Sequence, residues 1–183
     1  MRRIICPHCK AEHRVFGVKN TYICRNCKNT WTDKPMPDPK LPDYDLVSPS
    51  TTLTPTQNGL IEAGKVYSGA HVCESEQHPL LMEMATRHAK YQADSKTQGH
   101  QYFQTRVDEL YRTMGQYKYA EIAAESWDRQ VNDSPKDLGK EMFFCWARSP
   151  GHWSVASVAH KYFGADMALG QDNIWYACII TAD

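Results

Sequence analysis

Apolar residues recur at spacings of three and four along much of the second half of the chain, and at spacings of two near its end. Leu81, Met84, His88 and Tyr91 share one face of a helix expected over 80–93, led in by His78-Pro79. Phe103, Val107, Leu110 and Met114 form the stripe of a second helix starting near Gln101. Ser134-Pro135-Lys136-Asp137 resembles a capping box and opens a third, which buries Leu138, Met142, Phe143 and Trp146. A short fourth is expected to carry Val155, Val158, Ala159 and Tyr162. Strands are expected over 118–124, 165–169 and 174–181. In the last, Ile174, Tyr176, Cys178 and Ile180 alternate with Trp175, Ala177 and Ile179, so both faces are apolar and helices should cover each of them. The expected class is α+β, layered as an α/β/α sandwich.

Upstream the pattern breaks. Prolines at 35, 37, 39, 42, 49 and 55 disfavour helix and ladder, so residues 33–59 read as an extended linker or arm. This divides the chain into a small module over 1–32, the arm over 33–59 and a main domain over 60–183. Within the first module Cys6-x-x-Cys9 and Cys24-x-x-Cys27 stand fourteen residues apart, the spacing of a zinc ribbon with four thiolates on one ion. Arg14-Val15-Phe16 and Thr21-Tyr22-Ile23 are expected to pair around Gly17–Asn20, with Trp31 covering the cluster. A closed four-thiolate shell has no position for substrate, so this zinc is expected to fold the segment, with His8 and His13 outside the shell. Cys73, Cys145 and Cys178 are left as reduced thiols, the last two in apolar surroundings.

Formal neutrality conceals a polarity. Residues 1–34 carry eight basic side chains against two acidic ones, and the rest carries thirteen against nineteen. A basic head on an acidic body implies surfaces with different partners. There is no run of about 18 apolar residues for a membrane helix. The basic start lacks an apolar stretch, so no secretory signal is expected and the location is cytoplasmic or virion-associated.

Trp146-Ala147-Arg148-Ser149-Pro150-Gly151-His152 resembles the second-histidine motif of the CAP superfamily (cysteine-rich secretory, antigen-five and pathogenesis-related-one proteins). Gly99-His100 is similar to its first-histidine position, Ala120-Glu121-Ile122-Ala123 to its glutamate motif, and 164–177 to its closing hairpin. The resemblance covers residues 78–183 and implies a CAP-type sandwich with a cleft built from His100, Glu121 and His152, at whose mouth Trp153 would stand. The glutamate motif lacks its glycine and asparagine, and Arg148 and Ser149 stand where many relatives carry a second glutamate. Two imidazoles and a carboxylate could take a second divalent metal, or could be a hydrogen-bonded cluster that holds loops.

Of the other histidines, His88 is expected in the core, His160 at the surface and His71 near Cys73. No Gly-x-Ser-x-Gly elbow accompanies Ser149 or Ser154, which excludes a serine hydrolase of that kind. The function expected is a non-enzymatic binding or assembly protein, a component of a phage or other microbial particle that meets protein partners or copies of itself. The alternatives are a metal-dependent hydrolase using the His/Glu cleft and a nucleic-acid binder using the basic ribbon.

Overall fold

Each Cys-x-x-Cys pair lies in a turn between two short antiparallel strands. The computed structural model describes residues 2–6, 8–15, 21–24, 26–32, 52–126 and 133–183, in two compact units, Met1–Val47 and Ser48–Asp183. In the first unit β1 (Arg2–Ile5) pairs with β2 (Glu12–Val15), and β3 (Thr21–Ile23) with β4 (Thr30–Thr32). The sequence led us to expect β2 against β3. Instead each hairpin closes over its own knuckle: the Cys6 amide donates to the Ala11 carbonyl and the Cys24 amide to the Asn29 carbonyl, both at 2.9 Å. Gly17–Asn20 and most of the proline-rich stretch lie outside the described residues.

The second unit opens earlier than the proline pattern implies. Helix α1 (Pro55–Val66) starts inside the stretch expected as linker. Thr54 caps it, its hydroxyl accepting from the Gln57 amide while the Gln57 side chain accepts from the Thr54 amide. Proline at the first helical position costs nothing, because that amide has no intrahelical partner. After a 3-10 turn (Val72–Glu74) and β5 (Glu76–Gln77) come α2 (Pro79–Ser95), α3 (Phe103–Thr113) and β6 (Tyr119–Glu125). The chain continues through α4 (Pro135–Ala147), α5 (Pro150–Ala156), β7 (Tyr162–Leu169) and β8 (Trp175–Ala182). The expected fourth helix therefore stops early. Ser157 caps its end, Val158 and Ala159 lie in the following loop, and Tyr162 begins β7.

The sheet runs β5-β7-β8-β6, with β5 parallel to β7 and the other neighbours antiparallel. Strand β8 divides its side chains between two cores. Ala177 and Ile179 join α1, α4 and α5 residues including Leu60, Phe143 and Trp146. Cys178, Ile180 and Ala182 join Leu81, Met84 and Ala89 of α2 and Leu110 of α3. Helices thus cover both faces of an α+β fold, as the doubly apolar strand required. Gly164 sets how closely α2 approaches β7, since a Cβ there would lie 2.0 Å from the Leu81 carbonyl carbon. Among the described residues no helix is long and apolar enough to cross a membrane.

Candidate functional site

In the first unit the two knuckles bring four thiols together. Cys6 Sγ lies 3.7 Å from Cys27 Sγ and Cys9 Sγ 3.5 Å from Cys24 Sγ, with all four sulfurs within 4.8 Å of one another. A disulfide would need about 2.05 Å. A tetrahedron with metal–sulfur bonds of about 2.3 Å has sulfur–sulfur edges of about 3.8 Å, so the spacing fits four ligands around one ion. The thiols also need a cation. The Ala11 amide, then the Asn26 side chain, lower Cys9 to about 6. The Asn29 amide pulls Cys27 the same way, yet burial and the neighbouring thiols push it up to about 11. Four thiolates in mutual contact ionise together only around a positive charge. Cys6 and Cys24 are buried, whereas His8 is exposed.

The second cluster lies on the α2–α3 side of the sheet. Glu121 stands opposite Ile180 in the β6–β8 register, and Ile180 belongs to the core under α2 and α3. The Glu121 side chain, 1% exposed, thereby meets Arg106 of α3, which is 4% exposed. Arg106 Nε and Nη2 both donate to Glu121 Oε2, at 2.9 and 2.5 Å. His100 Nδ1 donates to Oε1 at 3.0 Å. His88 Nε2 donates to the Gly99 carbonyl at 2.8 Å and lies 3.5 Å from Oε1.

The cluster pins one loop. Arg106 Nη1 donates to the Gln101 carbonyl at 2.7 Å, and the Gly99 amide donates to Gln92 Oε1 at 3.1 Å. Gly99 adopts φ +149° there, a conformation that suits glycine. Burial alone raises the Glu121 carboxyl. The His100 hydrogen bond, His88 and the Arg106 guanidinium together outweigh it and hold that group below the usual carboxylate range. Burial, reinforced by Arg106 and opposed by Glu121, pushes His88 down to about 4, so its ring is neutral at pH 7.

The residues singled out from the sequence divide. His100 and Glu121 touch, and the His152 ring stands 5.7 Å from the His100 ring. His152 is half-buried, and burial, then the His100 charge, lower its pKa. Among the described residues, His100, Glu121 and His152 do not gather their ligand atoms as the four cysteines do. Arg106 already occupies Oε2, so a second divalent metal on this carboxylate would meet a guanidinium in its own shell. Trp153 turns away from this cluster, because successive helical positions differ by about 100°. It packs edge-on against Tyr67 and lines a cavity of about 550 Å³ with Val66, Tyr67, Ser68, Lys140 and Ala147, none of them cleft residues.

His88 is the hydrogen-bonded core residue that its stripe implied. His160 is not at the surface: its side chain is 7% exposed, with Nδ1 at 2.8 Å from Asp183 Oδ2 and Nε2 at 3.0 Å from the Val155 carbonyl. His71 pairs with Glu74 at 3.0 Å. Arg106 is the functional residue that sequence reasoning missed. It falls three residues after Phe103 and four before Leu110, on the apolar stripe itself, and a cation in that position implies a buried anion. Asp166 of β7 was likewise passed over. Buried, it accepts from Thr56 Oγ1 at 2.7 Å, Thr86 Oγ1 at 2.6 Å and the Met167 amide at 2.7 Å, tying α1 and α2 to the sheet.

No family model matches the chain, and no curated protein matches it. Among solved structures it is similar to an outer surface protein from Borrelia burgdorferi, at 17% identity over 60% of this chain and 77% of that one, with a TM-score of 0.46. At that score the likeness bears on neither mechanism nor function.

Proposed function

We propose that the chain is a non-catalytic binding or assembly protein, in which a zinc ribbon anchors an α+β domain of CAP type. The observation that carries this reading is the commitment of Glu121. A general base must offer a carboxylate lone pair to a substrate proton, and a metal ligand must offer one to an ion. Here Arg106 takes Oε2 twice, His100 takes Oε1, and burial closes the carboxylate off from solvent. The cluster acts as a clasp on the loop that carries His100, and the hydrolase alternative is left without Glu121 as its base.

Zinc is the metal we assign to the ribbon, since four thiolates with tetrahedral edges suit an ion without geometric preference of its own. All four positions are then filled by protein, so the ion folds the hairpins. The CAP reading draws support from the order His100, Glu121, His152 around one buried clasp. The particle-component form of the assembly role rests on the sequence alone, through the ribbon and the proline-rich stretch behind it. The test compares wild type with Glu121→Gln for thermal stability and for hydrolysis of peptide, ester and glycan substrates. Loss of stability with no hydrolysis in either protein supports the reading. Hydrolysis by the wild type that disappears in the variant overturns it.

A further inference from the structure

Trp153 stands apart from the Glu121 cluster and packs on the core beneath α1 and α4. Helix α1 ends at Val66, Tyr67 caps it, and the chain turns back through Gly69 at φ +80°. A Cβ on Gly69 would lie 3.3 Å from Trp153 Cζ2, so the turn runs along the edge of the indole. The His71 amide fastens this turn to α5 by donating to the Ala156 carbonyl at 3.0 Å. The Tyr67 ring stands 5.8 Å from the ring of the fully buried Phe143. It stands 6.1 Å from the Trp153 ring, with the two planes at 67°. Both rings are therefore held in place, and they form a corner in the wall of the cavity of about 550 Å³.

The polar groups of that cavity are donors. The Tyr67 hydroxyl, the Ser68 hydroxyl and the Trp153 indole N–H have no hydrogen-bond partner among the described residues. Lys140 adds an ammonium, which also donates to the exposed Asp137 carboxylate at 2.9 Å. Among the described residues no carboxylate or carboxamide lines the cavity. A sugar hydroxyl both donates and accepts, so it is poorly served by such a wall, and an acyl chain would leave four donors unused. A proline-rich peptide presents backbone carbonyls and apolar rings with few N–H groups of its own. Its polyproline II helix docks in aromatic-lined grooves. The cavity lies within the range of about 300–1,000 Å³ usual for binding sites.

We propose that this cavity takes the proline-rich stretch 33–45 of a second copy of the chain. That stretch has prolines at 35, 37, 39 and 42, and four aspartates against two lysines. Its negative surplus complements Lys140, the charged side chain of the lining. Prolines pack into the Tyr67–Trp153 corner, and the carbonyls between them accept from Tyr67, Ser68 and Trp153. The inference deepens the assembly reading proposed above by naming a partner, and it does not involve the Glu121 cluster.

The experiment uses the full zinc-loaded chain. Self-association is read by sedimentation velocity, and binding of a labelled synthetic peptide of residues 33–45 by anisotropy. Wild type is expected to self-associate as its concentration rises, and to dissociate when unlabelled peptide is added. Pro35→Ala/Pro37→Ala/Pro39→Ala/Pro42→Ala in the full chain should abolish self-association and still bind the peptide. Tyr67→Phe keeps the ring and loses the hydroxyl, so peptide affinity should fall by about three- to tenfold. Ser68→Glu sets an anion at an exposed position outside the helices, and should weaken peptide binding and self-association with Tm unchanged.

A wild type that stays monomeric overturns the proposal. So does a four-proline variant that ignores the peptide, or an affinity unchanged by Tyr67→Phe and Ser68→Glu. Tighter binding of oligosaccharides or fatty acids than of the peptide, lost in the same two variants, overturns it as well. Hydrolysis that disappears in Glu121→Gln is a separate failure, of the non-catalytic reading, and would leave the peptide and sedimentation results unmoved.

Discussion

Arg106→Leu removes the guanidinium and leaves the Glu121 carboxylate buried, with His100 as its remaining strong donor. Both partners are almost fully enclosed, so solvent cannot replace the lost hydrogen bonds. Breaking a buried pair from one side costs about 3–5 kcal/mol. In urea, with a slope of about 2 kcal/mol per molar, that moves the midpoint of the α+β unit down by about 2 M.

The pH dependence should separate the two proteins. In the wild type the Glu121 carboxyl lies below its unfolded value. Its contribution is complete above that value and is lost as pH falls through the folded one. In Arg106→Leu, burial loses one of the groups that oppose it, and the carboxyl moves up from its wild-type position. The variant then loses less on acidification than the wild type does, and the gap between the proteins narrows below about pH 5. Arg106→Leu/Glu121→Gln should cost less than the two single changes added together, with a coupling of about 2 kcal/mol. Urea unfolding at neutral and acid pH reads all of this. A single-mutant cost under about 1 kcal/mol, or strict additivity, would refute a committed carboxylate and reopen Glu121 as a base or ligand.

Burial holds His88 at about 4, so the stability of its neutral ring is complete above the unfolded value of about 6.5 and is lost as pH falls through 4. His88→Gln should flatten unfolding free energy against pH in that window, by about 3 kcal/mol at full extent. Gly164→Ala should force α2 off β7, costing about 3 kcal/mol or more and visible as a lowered Tm; a neutral outcome would contradict the close approach. Thr86→Val removes a hydrogen bond to the buried Asp166 carboxylate and should cost about 1.5–3 kcal/mol by urea unfolding. Cys9→Ser/Cys27→Ser should abolish metal binding and the ribbon's amide protection, while leaving the unfolding midpoint of the second unit in place.

Periodicity carried well where a face is buried by simple apolar packing. The stripes of α2, α3 and α4 and the two-sided β8 were legible because each repeats one period over several turns or residues. What escaped notice depended on partners far along the chain. Arg106 lies on a legible stripe, but its anion is fifteen residues on and meets it only through the register of β6 with β8. Helix α1 was hidden by proline density, although Thr54-Pro55-Thr56-Gln57 holds the capping threonine and glutamine at the spacing that starts a helix. Val158, Ala159 and Tyr162 continued the apolar spacing of α5 after its hydrogen bonding had stopped at Ala156. The cysteine pairs signalled a metal site through spacing alone, but the hairpins around them closed locally, which the spacing does not encode. Trp153 follows His152 directly yet packs on Tyr67, since adjacency in sequence does not mean a shared helix face.

Metal stoichiometry tests the central claim most directly: the ribbon holds an ion, while the Glu121 cluster is a clasp. Elemental analysis would be made on wild type and on His100→Ala/His152→Ala, each purified with zinc present. The account expects one zinc per chain in both proteins, released when the ribbon cysteines are replaced. Two metals in the wild type falling to one in the histidine variant would contradict it, placing an ion where Arg106 and His100 are held to fill the carboxylate.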